Sequence, residues 1–460
     1  MPADPAGLLV GGRHRVHVVG VGGAGMSAIA AFLVAMGHRV SGSDRRAGFV
    51  TARLADLGVE VSIGHDAALV AGAEVVTASP AVGDDNVELV EARRLGVPVL
   101  SRAEVLGALA STRSTVAVAG THGKTTTASM LALALRAAGM RPSFLIGADV
   151  GDLDANGLLD EGEWLVLEAD ESYGSCAELA PTVTVLTSVE PDHLDHYKTL
   201  EALLGAFERL LGAASGPRLV SADDAAAASL GRRVGALLVG EAEDADYRIS
   251  ALELHARSGR FGLAGRAGRL AVAVSVPGRH NAHNAALAGA AALEIGAEPA
   301  AVEAALAGFT GAPRRYEWRG EAGGVTFVDD YGHLPGEVAP TLATARLAGH
   351  ARVVAVFQPH RYTRTAALAA DFAHAFDDAD VVVVTDVYAA GEPPIPGVSG
   401  RLVADAVASA RPALPVHYAP DRAELVGLLA SVLRPGDLCV TLGAGDLTTL
   451  PGELQIELTR

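Results

Sequence analysis

Cysteine is nearly absent from this sequence: Cys176 and Cys439 are the only two in 460 residues. Two thiols exclude a disulfide framework and a four-ligand cysteine zinc site, and a reducing cytoplasm is the expected compartment. Long hydrophobic runs are missing too. Half the residues are hydrophobic and the mean hydropathy is +0.30, yet no stretch approaches the roughly 18 apolar residues of a membrane-spanning helix. The excess is Ala and Val, so no membrane insertion is expected. The opening stretch MPADPAGLLVGGRHR lacks the basic segment and apolar run of a secretion signal. Positive charge is short: 36 Lys and Arg stand against 54 Asp and Glu, a formal net charge of −18. That balance repels polyanions and argues against nucleic acid as a partner. A small anion is not excluded, because a few placed Arg, Lys and backbone N–H groups hold a phosphate against an unfavourable overall field.

What is present is a repeated α/β rhythm. The length predicts about three domains. Through residues 1–110, short apolar runs alternate with helical patterns: RVHVVG, MSAIAAFLVAMG, HRVSGSD, TARLADLG, then AEVVTASP and VPVLSRAEVLGAL. Strand, glycine turn, helix, strand is the pattern of a parallel sheet with crossover helices. The small polar stretch ASTRST suggests a boundary, giving a first domain over 1–111. A second, over 112–312, holds EWLVLEADES, PTVTVLTSVEPDHLDHY, a helix near 200–212 and strands in a hairpin over 255–270. The Gly/Pro-punctuated GFTGAPRR then leads into a third domain, 313–460, with five further strand candidates from VTFVDDYG to DLCVTLGAGD.

Two glycine loops carry the chemistry. Gly20, Gly22 and Gly25 satisfy G-x-G-x-x-G between a strand and a helix, where glycine lets backbone N–H groups approach a diphosphate. Asp44 follows about twenty residues later at the end of the next strand, the position of a ribose partner. NAD, FAD and a UDP-sugar all present a diphosphate, and the motif does not choose among them. The second loop, Gly120, Thr121, His122, Gly123, Lys124, Thr125 and Thr126, departs from G-x-x-x-x-G-K-[ST] because Val118 replaces the first Gly. Its working parts remain: N–H groups to wrap phosphate, a lysine for the β/γ oxygens and a threonine hydroxyl for Mg²⁺. ATP is its expected ligand. A hydride-transfer enzyme has no use for the second loop, and a plain kinase has none for the first. Together they suggest ATP activating something carried on a nucleotide-diphosphate handle.

Acidic and basic residues follow at strand ends. Glu168, Asp170 and Glu171 end one apolar run, and Glu190, Asp192 and His193 end the next, where strand ends of an open sheet share a crevice. Asn281 and Asn284 stand three apart at a helix start, where Asn281 is otherwise an N-cap. Arg314 and Arg315 lie in the linker, Asp329 and Asp330 end VTFVDD, and Arg361 and Arg364 stand at helical spacing, suited to a carboxylate or phosphate.

The ordered set GVGGAGMS, SGSD, GTHGKTTT, EADES, EPDHLDHY, GRHN, DDYGH, FQPHRYTRT and DVYAAGEPPIPG resembles the Mur ligases of peptidoglycan synthesis over nearly the whole chain. DDYGH with FQPHRYTRT points to the branch that joins L-alanine to UDP-N-acetylmuramate. The resemblance implies a Rossmann-like UDP-binding domain, a central P-loop ATPase domain with a mainly parallel sheet, and a C-terminal Rossmann-like domain that closes over the amino acid. It implies ATP and Mg²⁺ as cofactors, and an acyl phosphate formed on the lactyl carboxylate. Carried over by position, Gly120 to Thr126 cradle ATP, with Lys124 on the transferring phosphoryl group. Thr125 and Glu168 hold one Mg²⁺ and His193 the second. Asn281 and Asn284 contact the nucleotide, and Arg315 with Asp330 joins the C-terminal domain to ATP. His333, Arg361 and Arg364 face the amino acid or the acyl phosphate. Gly22, Gly23, Ala24, Gly25, Met26 and Ser27, with Asp44 and Ser79, take the UDP end. Two positions depart from the family pattern: Leu334 replaces a second histidine after DDYGH, and Tyr173 replaces an aspartate after EADES. A murein-peptide recycling ligase on the same UDP-sugar is the alternative, and the first loop alone would fit an NAD(P)-dependent oxidoreductase. Both monomer and homodimer fit the sequence.

Overall fold

The computed structural model describes residues 5–172, 174, 176 and 179–459; Tyr173 lies outside the described residues. Three α/β sheets follow one another along the chain. The first has five parallel strands in the order Glu60–Ile63, Arg39–Asp44, Arg15–Val19, Val75–Ala78, Val99–Leu100. The chain reverses its direction of winding at Arg15–Val19 and Val75–Ala78. Open α/β sheets bind ligands at such a reversal, beyond the carboxyl ends of the strands. Gly20 and Ser79 sit at those two ends, and a Cβ on Gly20 would lie 2.9 Å from Ser79 Cβ.

The second sheet has ten strands. Its middle is parallel: Val183–Leu186, Ser114–Ala119, Trp164–Glu168 and Ser143–Val150 lie side by side. Both faces of these strands are covered, which explains their near-continuous Val, Leu and Ala. Tyr247–His255, Ser258–Gly265 and Gly268–Val274 occupy one edge in chain order. The third sheet has six strands: Glu317–Ala322, Val325–Asp330, Asp437–Leu442, Arg352–Phe357, Val381–Val384 and Val416–Tyr418. Only its first pair is antiparallel.

The chain forms two compact units, 1–252 with 261–273 and 283–310, and 253–260 with 274–282 and 311–460. The first sheet belongs wholly to the first unit, and a single apolar cluster there runs from Val16, Phe32 and Leu109 to Ala117 and Leu167. A hairpin fastens the two sheets of this unit. Strands Ser143–Val150 and Ala155–Leu158 pair antiparallel. Asn156 donates from Nδ2 to Ala24 O at 2.9 Å and Ser27 Oγ at 3.0 Å. Arg53 donates to Asp149 at 2.5 Å and to Asn156 Oδ1 at 2.9 Å. Gly157 must be small here, since a Cβ would fall 2.7 Å from Ala28 O. The helix Ala24–Ala35, which begins at the first glycine loop, is thereby held to the sheet that carries the second.

Beneath the first loop lies a buried polar knot. Glu88, fully buried, accepts from His17 Nε2 at 2.8 Å, Ser43 Oγ at 2.7 Å and His65 Nδ1 at 2.9 Å. Burial would push its carboxyl up, but those hydrogen bonds hold it below its ordinary value. Ser43 O in turn accepts from the N–H groups of Gly20 and Val21. Glu88→Ala strands the buried His17 and is expected to cost about 3–5 kcal/mol, read as a lower urea midpoint with the first loop loosened.

Candidate functional site

The lysine loop turns between the strand Ser114–Ala119 and the helix Lys124–Ala137. Gly120 has φ +127° and Gly123, the helix N-cap, φ +78°, a region that side chains rarely adopt. No side chain caps the helix, so its first N–H groups are directed at the loop mouth, the arrangement that receives phosphate. The loop is pinned from the next strand end. His122 N donates to Ser188 Oγ at 2.9 Å, Glu190 N donates to Thr121 Oγ1 at 2.9 Å, and the His122 ring meets Glu190 at 3.1 Å. Thr126 is buried against the sheet.

Lys124 folds across the loop. Its Nζ donates to Gly120 O at 2.6 Å and to both Glu171 oxygens, at 2.8 and 3.1 Å. Burial works against the ammonium, but Glu171, Asp170 and Glu168 outweigh it and hold Lys124 well above its ordinary value. Burial pushes the Glu171 carboxyl up to about 7 against the pull of Lys124. Asp170 goes the other way, to about 2, because Lys124 and Arg102 overcome its burial. Thr125 Oγ1 lies 3.0 Å from both oxygens of Glu168, which also accepts from Gly147 N at 2.7 Å. His193, held at φ +51°, places Nε2 3.9 Å from Glu171. One ligand atom each from Asp170, Glu171 and His193 lies within 4.8 Å of the others. Carboxylate, hydroxyl and imidazole donors fit a hard divalent cation such as Mg²⁺ better than a thiophilic one.

The Glu171 shift has a measurable consequence for the nucleotide-free protein. Between about 4.5 and about 7 the unfolded carboxyl has lost its proton while folded Glu171 keeps it. Its contribution to stability therefore falls as pH rises through that window and levels off above it. Glu171→Gln is expected to remove this part of the slope, seen in urea midpoints of variant and wild type compared across the window.

At the first loop, Asp44 turns inward. Its carboxylate accepts from Gly22 N at 2.9 Å and Arg46 N at 3.1 Å. Gly23 is the N-cap of Ala24–Ala35, with no side-chain cap. Met26 and Ser27 are buried, and Ser27 Oγ donates to Ala24 O at 2.9 Å. Ser79 N donates to Val19 O at 2.9 Å.

In the second unit, Asp330 accepts from Gly332 N and Tyr316 N, both at 2.7 Å, and burial pushes its carboxyl up to about 6. Arg315 reaches Glu337 at 3.4 Å and lies over the Tyr331 ring; Asp330 acts on it only through its charge. His333 meets Tyr331 O at 3.1 Å and Glu337 at 3.2 Å, and its ring lies 5.4 Å from His360. Arg364 Nη1 is 2.9 Å from His360 Nδ1, and His360 stacks on Tyr388. Arg361 is the N-cap of Tyr362–Leu368 with φ +68°, so the two arginines leave the backbone in different conformations. Leu334 is buried at the N-cap of Pro335–Leu347. Asn281 sits inside the first turn of Arg279–Glu294 and donates back to Pro277 O at 2.7 Å, so it is not the N-cap. Asn281 belongs to the second unit and Asn284 to the first. Arg102, Asn156 and Glu337 have no motif of their own, and only tertiary packing reveals them; His360 and Tyr388 lie within FQPHRYTRT and DVYAAGEPPIPG, but only packing stacks one on the other.

Three serial α/β sheets, with a glycine loop on the first and a lysine loop on the second, define a multidomain nucleotide-binding protein. The chain belongs to the Mur ligase family: residues 15–114 match the Mur ligase family catalytic domain, 118–292 the middle domain and 314–445 the glutamate ligase domain. It is similar to the UDP-N-acetylmuramate–L-alanine ligase of Kineococcus radiotolerans, 48% identical over 98% of both chains. The protein of that name from Anaeromyxobacter dehalogenans is 46% identical over 97% of this chain and 98% of its own. The solved UDP-N-acetylmuramate-alanine ligase of Thermotoga maritima superposes with a TM-score of 0.80 at 28% identity, over 97% of this chain and 99% of that one.

Proposed function

We propose that this chain joins L-alanine to the lactyl carboxylate of UDP-N-acetylmuramate, giving UDP-N-acetylmuramoyl-L-alanine, ADP and phosphate in peptidoglycan synthesis. The observation that carries this reading is the near full-length identity of 46–48% to ligases of that name. A carboxylate is a poor electrophile, and phosphorylation supplies a leaving group. In the first step a lactyl carboxylate oxygen attacks the γ-phosphorus of ATP and ADP leaves. In the second, the L-alanine amine attacks the acyl carbon, loses a proton, and phosphate leaves with that oxygen.

Most of the catalysis is positioning and charge stabilisation. The first loop, from Gly22 to Ser27, with Asp44 and Ser79, holds the UDP end. The lysine loop from Gly120 to Thr126 cradles ATP, and Lys124 leaves Glu171 to follow the transferring phosphoryl group. Thr125 with Glu168, and His193 with its acidic neighbours, hold Mg²⁺, which offsets phosphate charge when bound. Asn281, Asn284, Arg315 and Asp330 serve the nucleotide, and His333, Arg361 and Arg364 the amino acid or acyl phosphate. The reaction takes place in the cytoplasm. Substrate labelled with oxygen-18 in the lactyl carboxylate is expected to pass one label to the released phosphate. Unlabelled phosphate would exclude the acyl phosphate route.

A further inference from the structure

We propose that Arg102 is a direct ligand of the UDP-sugar's diphosphate. The inference rests on the functional reading above. Arg102 is the first residue of the helix Arg102–Ala110, and a reciprocal cap between Ser101 and Glu104 fixes where that helix starts. Its side chain is only 16% exposed. A Cβ on Gly25 would stand 2.7 Å from Arg102 Nη2, so the guanidinium lies against the first turn of Ala24–Ala35. That turn has no side-chain cap. A side chain at position 25 would therefore displace the guanidinium from this seat.

The arginine's own contacts are incomplete. Nη1 donates to Asp170 Oδ2 at 3.3 Å, long for a charged pair, and Nε is buried with no partner. A half-buried guanidinium with an unmet, buried Nε–H, beside an uncapped helix N-terminus, is half of an anion site; the backbone N–H groups are the other half. Its planar fork matches phosphate oxygens, and the loop spacing matches a diphosphate. Asp170, which holds the other side of the fork, is also one of the carboxylates that act on Lys124.

The test is calorimetric titration of the intact protein with UDP, and separately with ATP and Mg²⁺. Arg102→Ala is expected to weaken UDP by on the order of 10- to 100-fold, the loss of a charge-assisted bond, with ATP unchanged. Arg102→Lys keeps the charge without the fork and is expected to recover part of the loss. If the alanine variant does not fold, the lysine variant carries the test, with several-fold weaker UDP binding expected. Unchanged UDP affinity, or UDP and ATP affinities falling together, overturns the proposal. Wild-type protein that binds no UDP contradicts the functional reading itself, an outcome distinct from a variant that binds UDP normally.

Discussion

Lys124→Ala is expected to lower turnover at least about a thousandfold while UDP-sugar binding stays close to wild type. In the ligand-free protein Lys124 lies between the Gly120 carbonyl and both oxygens of Glu171. It is the cation that the electrostatics of Glu171, Asp170 and Glu168 hold charged. Without it, a phosphate brought to the helix Lys124–Ala137 meets the carboxylates with no ammonium between. The fold should survive. Burial already pushes the Glu171 carboxyl up to about 7 against the pull of Lys124, so without the lysine it neutralises by keeping a proton, and the loss of stability is about 1–3 kcal/mol. Lys124→Arg should not rescue turnover, because a planar fork does not replace a point charge in so tight a loop. Steady-state rates, with UDP titrations on the same preparations, check both halves. Normal turnover in the alanine variant would remove the ATP assignment.

Gly123→Ala is expected to act nearly as strongly, by a different cause. The residue holds φ +78° as the helix N-cap, and an added Cβ would overlap Asn284 Oδ1. The backbone strain is about 1–3 kcal/mol, and relieving the clash moves either the loop or Asn284. The first turns the helix N–H groups away from phosphate, and the second displaces a side chain that serves the nucleotide. ATP affinity should fall more than 100-fold with UDP affinity unchanged. Calorimetric titration of the variant with ATP and with UDP checks this, and unchanged ATP affinity would contradict the requirement for glycine at this position.

Much of the fold is legible in the sequence because its signals are local. Buried parallel strands need unbroken Val, Ala and Leu, and VAVAG and VTVL carry them. Glycine spacing marks both loops because backbone geometry demands it. Other features depend on residues far apart in the chain. Arg102 and Asp170 meet only when the first two sheets share one unit, as do Arg53 and Asn156. Spacing placed Arg361 and Arg364 on a helix, but Arg361 is the residue before its first turn, with φ +68° and a non-helical ψ of 138°. Leu334 proves to be a buried apolar side chain at the N-cap of Pro335–Leu347. Asn281 and Asn284 share a helix start, yet they belong to different units; no local pattern encodes that division.

The most direct measurement is phosphate release by the purified protein with UDP-N-acetylmuramate, ATP and Mg²⁺, given either L-alanine or a murein tripeptide. Release with L-alanine, matched by formation of UDP-N-acetylmuramoyl-L-alanine, is the predicted result. Release with the tripeptide alone would contradict the account and identify a recycling ligase.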